Sequence, residues 1–396
     1  MTKHSHMNPH RHLFPEKAVA GYLNGASRSP QLKSVAAAAR DAISWREEHP
    51  GMPIASFFDD VAEIKSQFAK LINCPEPDRV AMTPAASYGI ATVAKNLPLE
   101  RQQNIIVVEG QFPSNYYSWE VLCRERGAEL RTVKRPVAGA VGSWSDRVLE
   151  AIDKHTAAVA IAQLHWVDGT LFDLSAIRKR TDDVGAWLVI DGTQSLGAYP
   201  MDVQHIKPDA LICGGYKWLM GPYGCGYAYY GPRMDDGSPL EENWINRAGS
   251  EDFRNLANYR SDYRPLAGRY STGQHSNFLM APMQVAALRQ VNAWTPEVVQ
   301  EHCAGLWSQT EAMFSEVGIE LPGERAHHLV GLRLPAHIDG DKLSGEVERR
   351  GLSVSYREDA VRVSPNVYNT VEEMGALAEA LGVADRRVHP AVSRRP

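Results

Sequence analysis

Val189-Ile-Asp-Gly-Thr-Gln-Ser195 and, after a linker, Leu211-Ile-Cys-Gly-Gly-Tyr-Lys-Trp-Leu-Met-Gly-Pro-Tyr-Gly-Cys-Gly226 decide the fold. One apolar run ends in an acid, Asp191. A second ends in a Gly-rich loop that carries an amine, Lys217. Short buried-strand patterns that deliver such groups to one end predict an open α/β sheet, whose ligands bind beyond the carboxyl ends of the parallel strands.

A paired carboxylate and lysine suit pyridoxal 5'-phosphate. The amine forms a Schiff base with the aldehyde, and the carboxylate keeps the pyridine nitrogen protonated. Lys217 also carries protons once substrate displaces it, provided burial or nearby cations lower its pKa. Gln194, three residues past Asp191, is placed to hydrogen-bond the ring hydroxyl. Taken singly, a strand ending in Asp-Gly reads as a turn, and a lysine in a Gly-rich loop reads as a solvated side chain. The pair at this spacing, with Gln194 and Gly221-Pro-Tyr-Gly-Cys-Gly226, favours chemistry.

Asp191-Gly-Thr-Gln194, Tyr216-Lys217 and Gly221 to Gly226 resemble the class V aminotransferase family of fold-type I enzymes dependent on pyridoxal phosphate. That family includes cysteine desulfurases, kynureninases and isopenicillin N epimerase-like proteins. The resemblance runs from Leu13 to Leu381. It implies a large domain with a mostly parallel seven-stranded sheet between helices, and a smaller α+β C-terminal domain. The division it suggests is a flexible terminus 1–12, a large cofactor-binding domain 13–278 whose N-terminal part packs on the small domain, a small domain 279–385, and a loose tail 386–396.

Outward from the central motif, each strand end offers candidates. Val80 to Thr83 runs into a helix that starts at Ala85-Ala-Ser87. Small residues there let backbone N–H groups and the helix dipole reach an anion, so Ala85, Ala86 and Ser87 suit the cofactor phosphate. The strand Asn104 to Val108 leads to Phe112-Pro-Ser-Asn115, which resembles kynureninase and epimerase-like members, where the Phe stacks on the cofactor ring. Away from the resemblance, Phe112 reads equally as a core residue. The strand Ala157 to Leu164 closes on His165-Trp-Val-Asp-Gly-Thr170. Trp166 takes the place of a desulfurase Asn near the ring hydroxyl, and Trp166 or His165 is placed to touch substrate or simply to pack. Tyr216 stands where desulfurases have His beside the lysine, and its phenol suits the phosphate. Phe112, Trp166 and Tyr216 therefore all lean away from desulfurases.

The resemblance also assigns a substrate pocket. Tyr22-Leu-Asn-Gly-Ala-Ser-Arg-Ser-Pro30 supplies Asn24, Ala26 and Ser27. In Val361-Arg-Val-Ser-Pro-Asn-Val-Tyr-Asn369, Arg362 matches the arginine that holds the substrate carboxylate, for which a planar fork is suited. Arg357 is a second candidate. Residues 247–265 read as a long polar excursion. In Tyr270-Ser-Thr-Gly-Gln-His-Ser-Asn277 the family places a contact to the partner subunit's phosphate, which implies a homodimer with contacts from 272–277.

Composition bounds the rest. A chain of 396 residues with 44% hydrophobic content builds a large core, and a net charge of −5 gives no nucleic-acid footprint. No apolar run is long enough for a membrane span, and the N-terminus lacks a signal-peptide core. Cys74, Cys123, Cys213, Cys225 and Cys303 are scattered without metal spacing, which suggests a reduced, cytoplasmic setting. His4, His6, His10 and His12 read as a polar terminus rather than a metal set.

The predicted activity is therefore work at the Cα of an amino acid, aminotransferase or epimerase first and β-lyase second. An epimerase needs a second acid, for which His165 or Tyr216 is available. Desulfuration is disfavoured because residues Gly351 to Tyr368 carry no Cys. A nicotinamide dehydrogenase is disfavoured because no Gly-x-Gly-x-x-Gly opens a helix after the first strand. A catalytically silent member is disfavoured by intact Asp191, Gln194 and Lys217.

Overall fold

The structure is a computed structural model that describes residues 10–137, 141–322, 325–357 and 360–387. Two compact units emerge. One comprises Ser34–Leu164 and Phe172–Ala293; the other comprises Met1–Lys33, His165–Leu171 and Trp294–Pro396. Contacts thus group residues 10–33 and the short 165–171 segment with the C-terminal third. The reason is local: Phe14 stacks on Trp294 at 6.2 Å and packs edge-on against Tyr368 at 5.1 Å.

The larger unit holds strands β1 (Val80–Thr83), β2 (Asn104–Val108), β3 (Glu129–Val133), β4 (Thr156–Ala162), β5 (Trp187–Asp191), β6 (Ala210–Gly214) and β7 (Gly226–Tyr230). They form one sheet in the order β1-β7-β6-β5-β4-β2-β3. All neighbours are parallel except β7, which runs antiparallel to both β1 and β6. β2, β5, β6 and β7 are buried at every residue, as apolar runs in a sheet covered on both faces must be. β7 is the strand that apolar patterning does not predict. Its Gly-Tyr-Ala-Tyr-Tyr sequence looks like a loop end, yet Tyr227 stacks on Phe68 at 4.9 Å and Tyr230 meets Tyr270 at 4.8 Å.

A buried ion pair fixes the start of this sheet. Arg178 donates to Asp209 Oδ2 at 3.0 Å, and the same oxygen accepts from the Leu188 backbone N–H at 2.7 Å. The pair thereby ties the helix Leu174–Val184 to the entry of β5 and β6.

The smaller unit carries a second sheet of β8 (Val330–Arg333), β9 (Ser355–Arg357) and β10 (Ala360–Val363), in the antiparallel order β8-β10-β9. Its core joins Leu23, Trp307, Phe314, Val361, Val363 and Leu377. The N-terminal segment crosses this sheet: Leu23 donates to the Ser353 carbonyl at 3.0 Å and Ser364 donates to the Leu23 carbonyl at 2.8 Å. Of the terminus expected to be flexible, residues 1–9 lie outside the described residues. His10–Leu13 forms a 3-10 turn, and Arg11 pairs with Glu16 at 2.6 Å and with Glu373 at 2.7 Å. Of the expected loose tail, 388–396 lie outside the described residues, and Arg387 pairs with Asp385 at 2.6 Å. Among the described residues, no helix is long and apolar enough to cross a membrane.

Candidate active site

The larger unit gathers an acid and an amine at the carboxyl ends of adjacent parallel strands. Asp191 closes β5, level with Ile212 of β6. Its Oδ1 accepts from the Thr193 N–H at 2.9 Å. Thr193 Oγ1 accepts in turn from the Gly214 N–H at 3.2 Å, which stitches the two strand ends together. Burial raises the Asp191 pKa; the Thr193 hydrogen bonds and the positive charge of Lys217 oppose that rise without cancelling it. This carboxylate is therefore short of positive charge, the condition that a protonated ring nitrogen relieves.

Lys217 follows β6 and is buried. Its loop closes on itself: Gly215 N–H donates to the Cys225 carbonyl, and Gly221 N–H donates to the Gly215 carbonyl, both at 2.8 Å. A Cβ at Gly221 would sit 2.9 Å from that Gly215 oxygen, so the turn needs glycine there. Lys217 Nζ lies 5.4 Å from the centre of the Phe112 ring and 5.7 Å from that of Tyr216. Tyr216 packs edge-on against Tyr223 at 4.7 Å, and burial pushes its phenol pKa up. Phe112 keeps 37% of its surface exposed, so it is not a core residue. Gln194 is buried, and its Oε1 accepts from Trp218 Nε1 at 3.0 Å.

The sheet register brings the anion candidates to the same edge. Thr83, the last residue of β1, is level with Gly226, and Gly226 is level with Gly214 at the end of β6. The helix Ala86–Asn96 starts three residues past Thr83. Its N-cap, Ala85, is extended and offers no side-chain cap. The N–H groups of Ala86 and Ser87 and the Ser87 hydroxyl are a donor set of the kind a phosphate monoester takes. The residues of this unit thus fit pyridoxal phosphate: a donor-rich helix start, a buried acid in need of a cation, a buried lysine and a half-exposed aromatic face beside it.

In the segment 272–277, Thr272 Oγ1 donates to Glu241 Oε1 at 3.3 Å, and Gly273 N–H donates to the same carboxylate. Among the described residues, both ring nitrogens of His275 are buried without a hydrogen-bond partner, and burial lowers its pKa to about 3.

The smaller unit carries a cationic group on β10. Arg362 is 1% exposed. Its Nη1 donates to the Trp166 carbonyl at 2.9 Å and its Nη2 to Ser27 Oγ at 3.0 Å. Asn24 Oδ1 accepts from Ser27 Oγ at 2.8 Å and from Ser355 Oγ at 2.7 Å. Asn24 and Ser27 therefore act through Arg362: they hold the hydroxyl that orients its fork. Ala26 contributes its backbone, whose N–H donates to Ser364 Oγ at 3.1 Å. His165 is buried and faces Asp168, with Nδ1 3.5 Å from Oδ1. The turn that presents Trp166 is pinned by Gly169, at φ +78°, where a Cβ would strike the Leu329 carbonyl. Ser355 carries no motif signal, and Ser364 lies within the Val361 to Asn369 motif without any sign of the bond it makes. Ser355 is found only through its register opposite Arg362. Thr193 and Trp218 flank motif residues but give no sequence sign of the bonds they make.

The family model for Aminotransferase class-V matches residues 22–292. An uncharacterized aminotransferase of Bacillus subtilis is 24% identical, with 92% of this chain and 94% of that protein covered. Isopenicillin N epimerase of Streptomyces clavuligerus is 23% identical, with 81% of this chain and 83% of that protein covered. The crystal structure of the cysteine desulfurase CsdA of Escherichia coli superposes with a TM-score of 0.80 at 18% identity, covering 95% of this chain and 98% of that one. The last of these speaks to the fold alone, whereas the family match spans both strand ends that carry Asp191 and Lys217. The chain therefore belongs to the aminotransferase class-V family, and it is an enzyme.

Proposed function

We propose that this enzyme holds pyridoxal 5'-phosphate in the Ser34–Ala293 unit and acts at the Cα of an amino acid, as an aminotransferase or an epimerase. The observation that carries this reading is the burial of Lys217 beside Asp191 at adjacent strand ends. When bound, the cofactor supplies an electron sink for the bond broken at Cα.

The chain's own residues do the rest. Asp191 keeps a proton on the ring nitrogen, a role its charge-poor setting favours. Gln194 faces the ring hydroxyl from a position set by Trp218. Ala85, Ala86 and Ser87 bind the phosphate at the start of their helix, with the Tyr216 phenol as a further donor. Phe112 covers the ring and keeps water from the lysine. Lys217 Nζ takes the Cα proton and returns it. Arg362 binds the substrate carboxylate, while Ser27 and Asn24 fix its fork and Trp166 backs it. The assembly that goes with this reading is a homodimer in which residues 272–277 reach the partner's phosphate.

Persulfide chemistry lacks support from the cysteines. All five are buried, and burial raises the thiol pKa of Cys213, Cys225 and Cys303. A buried neutral thiol is a poor nucleophile. The test is a panel of amino acids incubated with the loaded enzyme. A keto acid, or the opposite enantiomer, is expected from at least one of them. Release of pyruvate with a thiol, or of sulfane sulfur, would replace it with a lyase or desulfurase.

A further inference from the structure

Arg362 is not the lone guanidinium in its unit. β9 and β10 pair so that Arg362 stands opposite Ser355 and Ala360 opposite Arg357. Side chains alternate along a strand, so Ser355 and Arg357 share a face with Arg362, and Arg357 lies on its diagonal. Diagonal neighbours across an antiparallel pair are close enough for long side chains to meet. They do meet, at one ring: the Arg357 and Arg362 guanidinium carbons lie 5.7 Å and 5.9 Å from the centre of Trp166.

Neither arginine has a carboxylate partner among the described residues. Arg357 donates to the carbonyl of Tyr356 at 2.7 Å. Arg362 donates to a carbonyl and to hydroxyls, and its Nε is buried without a partner. Burial and the positive charge of Arg357 lower the Arg362 pKa to about 10, against a small opposing effect of Tyr22. Two like charges held near one aromatic face, without an acid between them among the described residues, are costly to keep unless a ligand brings the acids. The roles also differ. Arg362 is buried and braced by Asn24, Ser27 and Ser355, as a fixed carboxylate anchor needs to be. Arg357 is half-buried and held by one carbonyl, as fits a group that meets the variable end of a ligand.

We propose that Arg357 is a specificity residue and that the substrate is a dicarboxylic amino acid, its α-carboxylate on Arg362 and its side-chain carboxylate on Arg357. This rests on the reading of Arg362 as the carboxylate anchor. Trp166 supplies the wall that both charges share, and its ring covers the apolar stem between the two acids.

The test uses the full chain loaded with pyridoxal phosphate and compares two unreactive acids by calorimetry: glutarate, and butyrate, which is glutarate with one carboxylate replaced by hydrogen. A second charge-assisted contact predicts that glutarate binds about 10- to 100-fold more tightly than butyrate. In Arg357→Gln that ratio falls towards one, and kcat/KM for acidic amino acids falls relative to neutral ones by the same factor. A ratio near one in the unmodified enzyme overturns the proposal. So does a ratio that survives in Arg357→Gln, or a variant that weakens both acids equally, which would mean that both arginines clamp a single carboxylate. Failure of the cofactor to load would count against the role of Lys217 instead. The acid titration repeated on the cofactor-free chain still decides the question of Arg357.

Discussion

Asp191→Asn is expected to remove nearly all turnover while raising the melting temperature of the cofactor-free protein. The two effects have one cause. Burial raises the pKa of this acid, so ionising it in the fold costs more than ionising it in the unfolded chain. For an acid whose folded pKa is raised, the stability contribution is full below the unfolded pKa and is lost as pH rises through the folded pKa. At neutral pH this raised acid therefore burdens the cofactor-free fold. An asparagine of the same shape still accepts from the Thr193 N–H and carries no charge to bury.

Catalysis moves the other way. A neutral amide cannot hold a proton on the ring nitrogen, and removing one preorganised electrostatic group from an active site costs about 10²- to 10³-fold in kcat. Thermal melts of cofactor-free protein at neutral and acidic pH check the first half, with the gain over the parent shrinking as pH falls. Steady-state rates of the loaded enzyme check the second. A variant that melted lower and lost activity in proportion would show Asp191 to be a structural residue.

Arg362→Gln carries the second large effect, and it falls on binding. The guanidinium offers a forked donor to a carboxylate, and hydrogen bonds to charged groups contribute about 1.5–3 kcal/mol each. Loss of that fork lowers kcat/KM by about 10²-fold or more, mainly through KM, because the contact is present before and after the reaction. Stability does not follow. Burial pushes this guanidinium down to about pKa 10. For a base, a folded pKa below the unfolded one means that the charge is costly in the fold at neutral pH. The variant's melting temperature is expected to match or exceed the parent's. Loss of kcat with KM unchanged would move Arg362 out of substrate binding.

What the sequence makes legible follows from which interactions are local. Asp191 and Lys217 are readable because each ends a short apolar run, and a parallel sheet sends such ends to one edge. The helix start at Ala85 to Ser87 is readable for the same reason. β7 is not, because its tyrosines bury through contacts with Phe68 and Tyr270, far off in the chain. The support of Arg362 is equally hidden: Asn24, Ser27 and Ser355 meet across more than 300 residues of sequence. Family resemblance places Asn24, Ala26 and Ser27 near substrate. The structure engages Asn24 and Ser27 with Arg362 and spends the Ala26 N–H on Ser364. The grouping of 10–33 with the C-terminal third follows from the family resemblance and not from local pattern, since it rests on Phe14 against Trp294 and Tyr368 and on Arg11 with Glu373.

The central claim is that Lys217 is the cofactor's covalent anchor. Borohydride reduction of the enzyme loaded with pyridoxal phosphate, followed by peptide mass spectrometry, tests it most directly. One modified peptide is expected, the one that carries Lys217, with the visible absorbance band of the loaded enzyme lost on reduction and absent from Lys217→Ala. Label on another lysine, or a band that persists in Lys217→Ala, would contradict it.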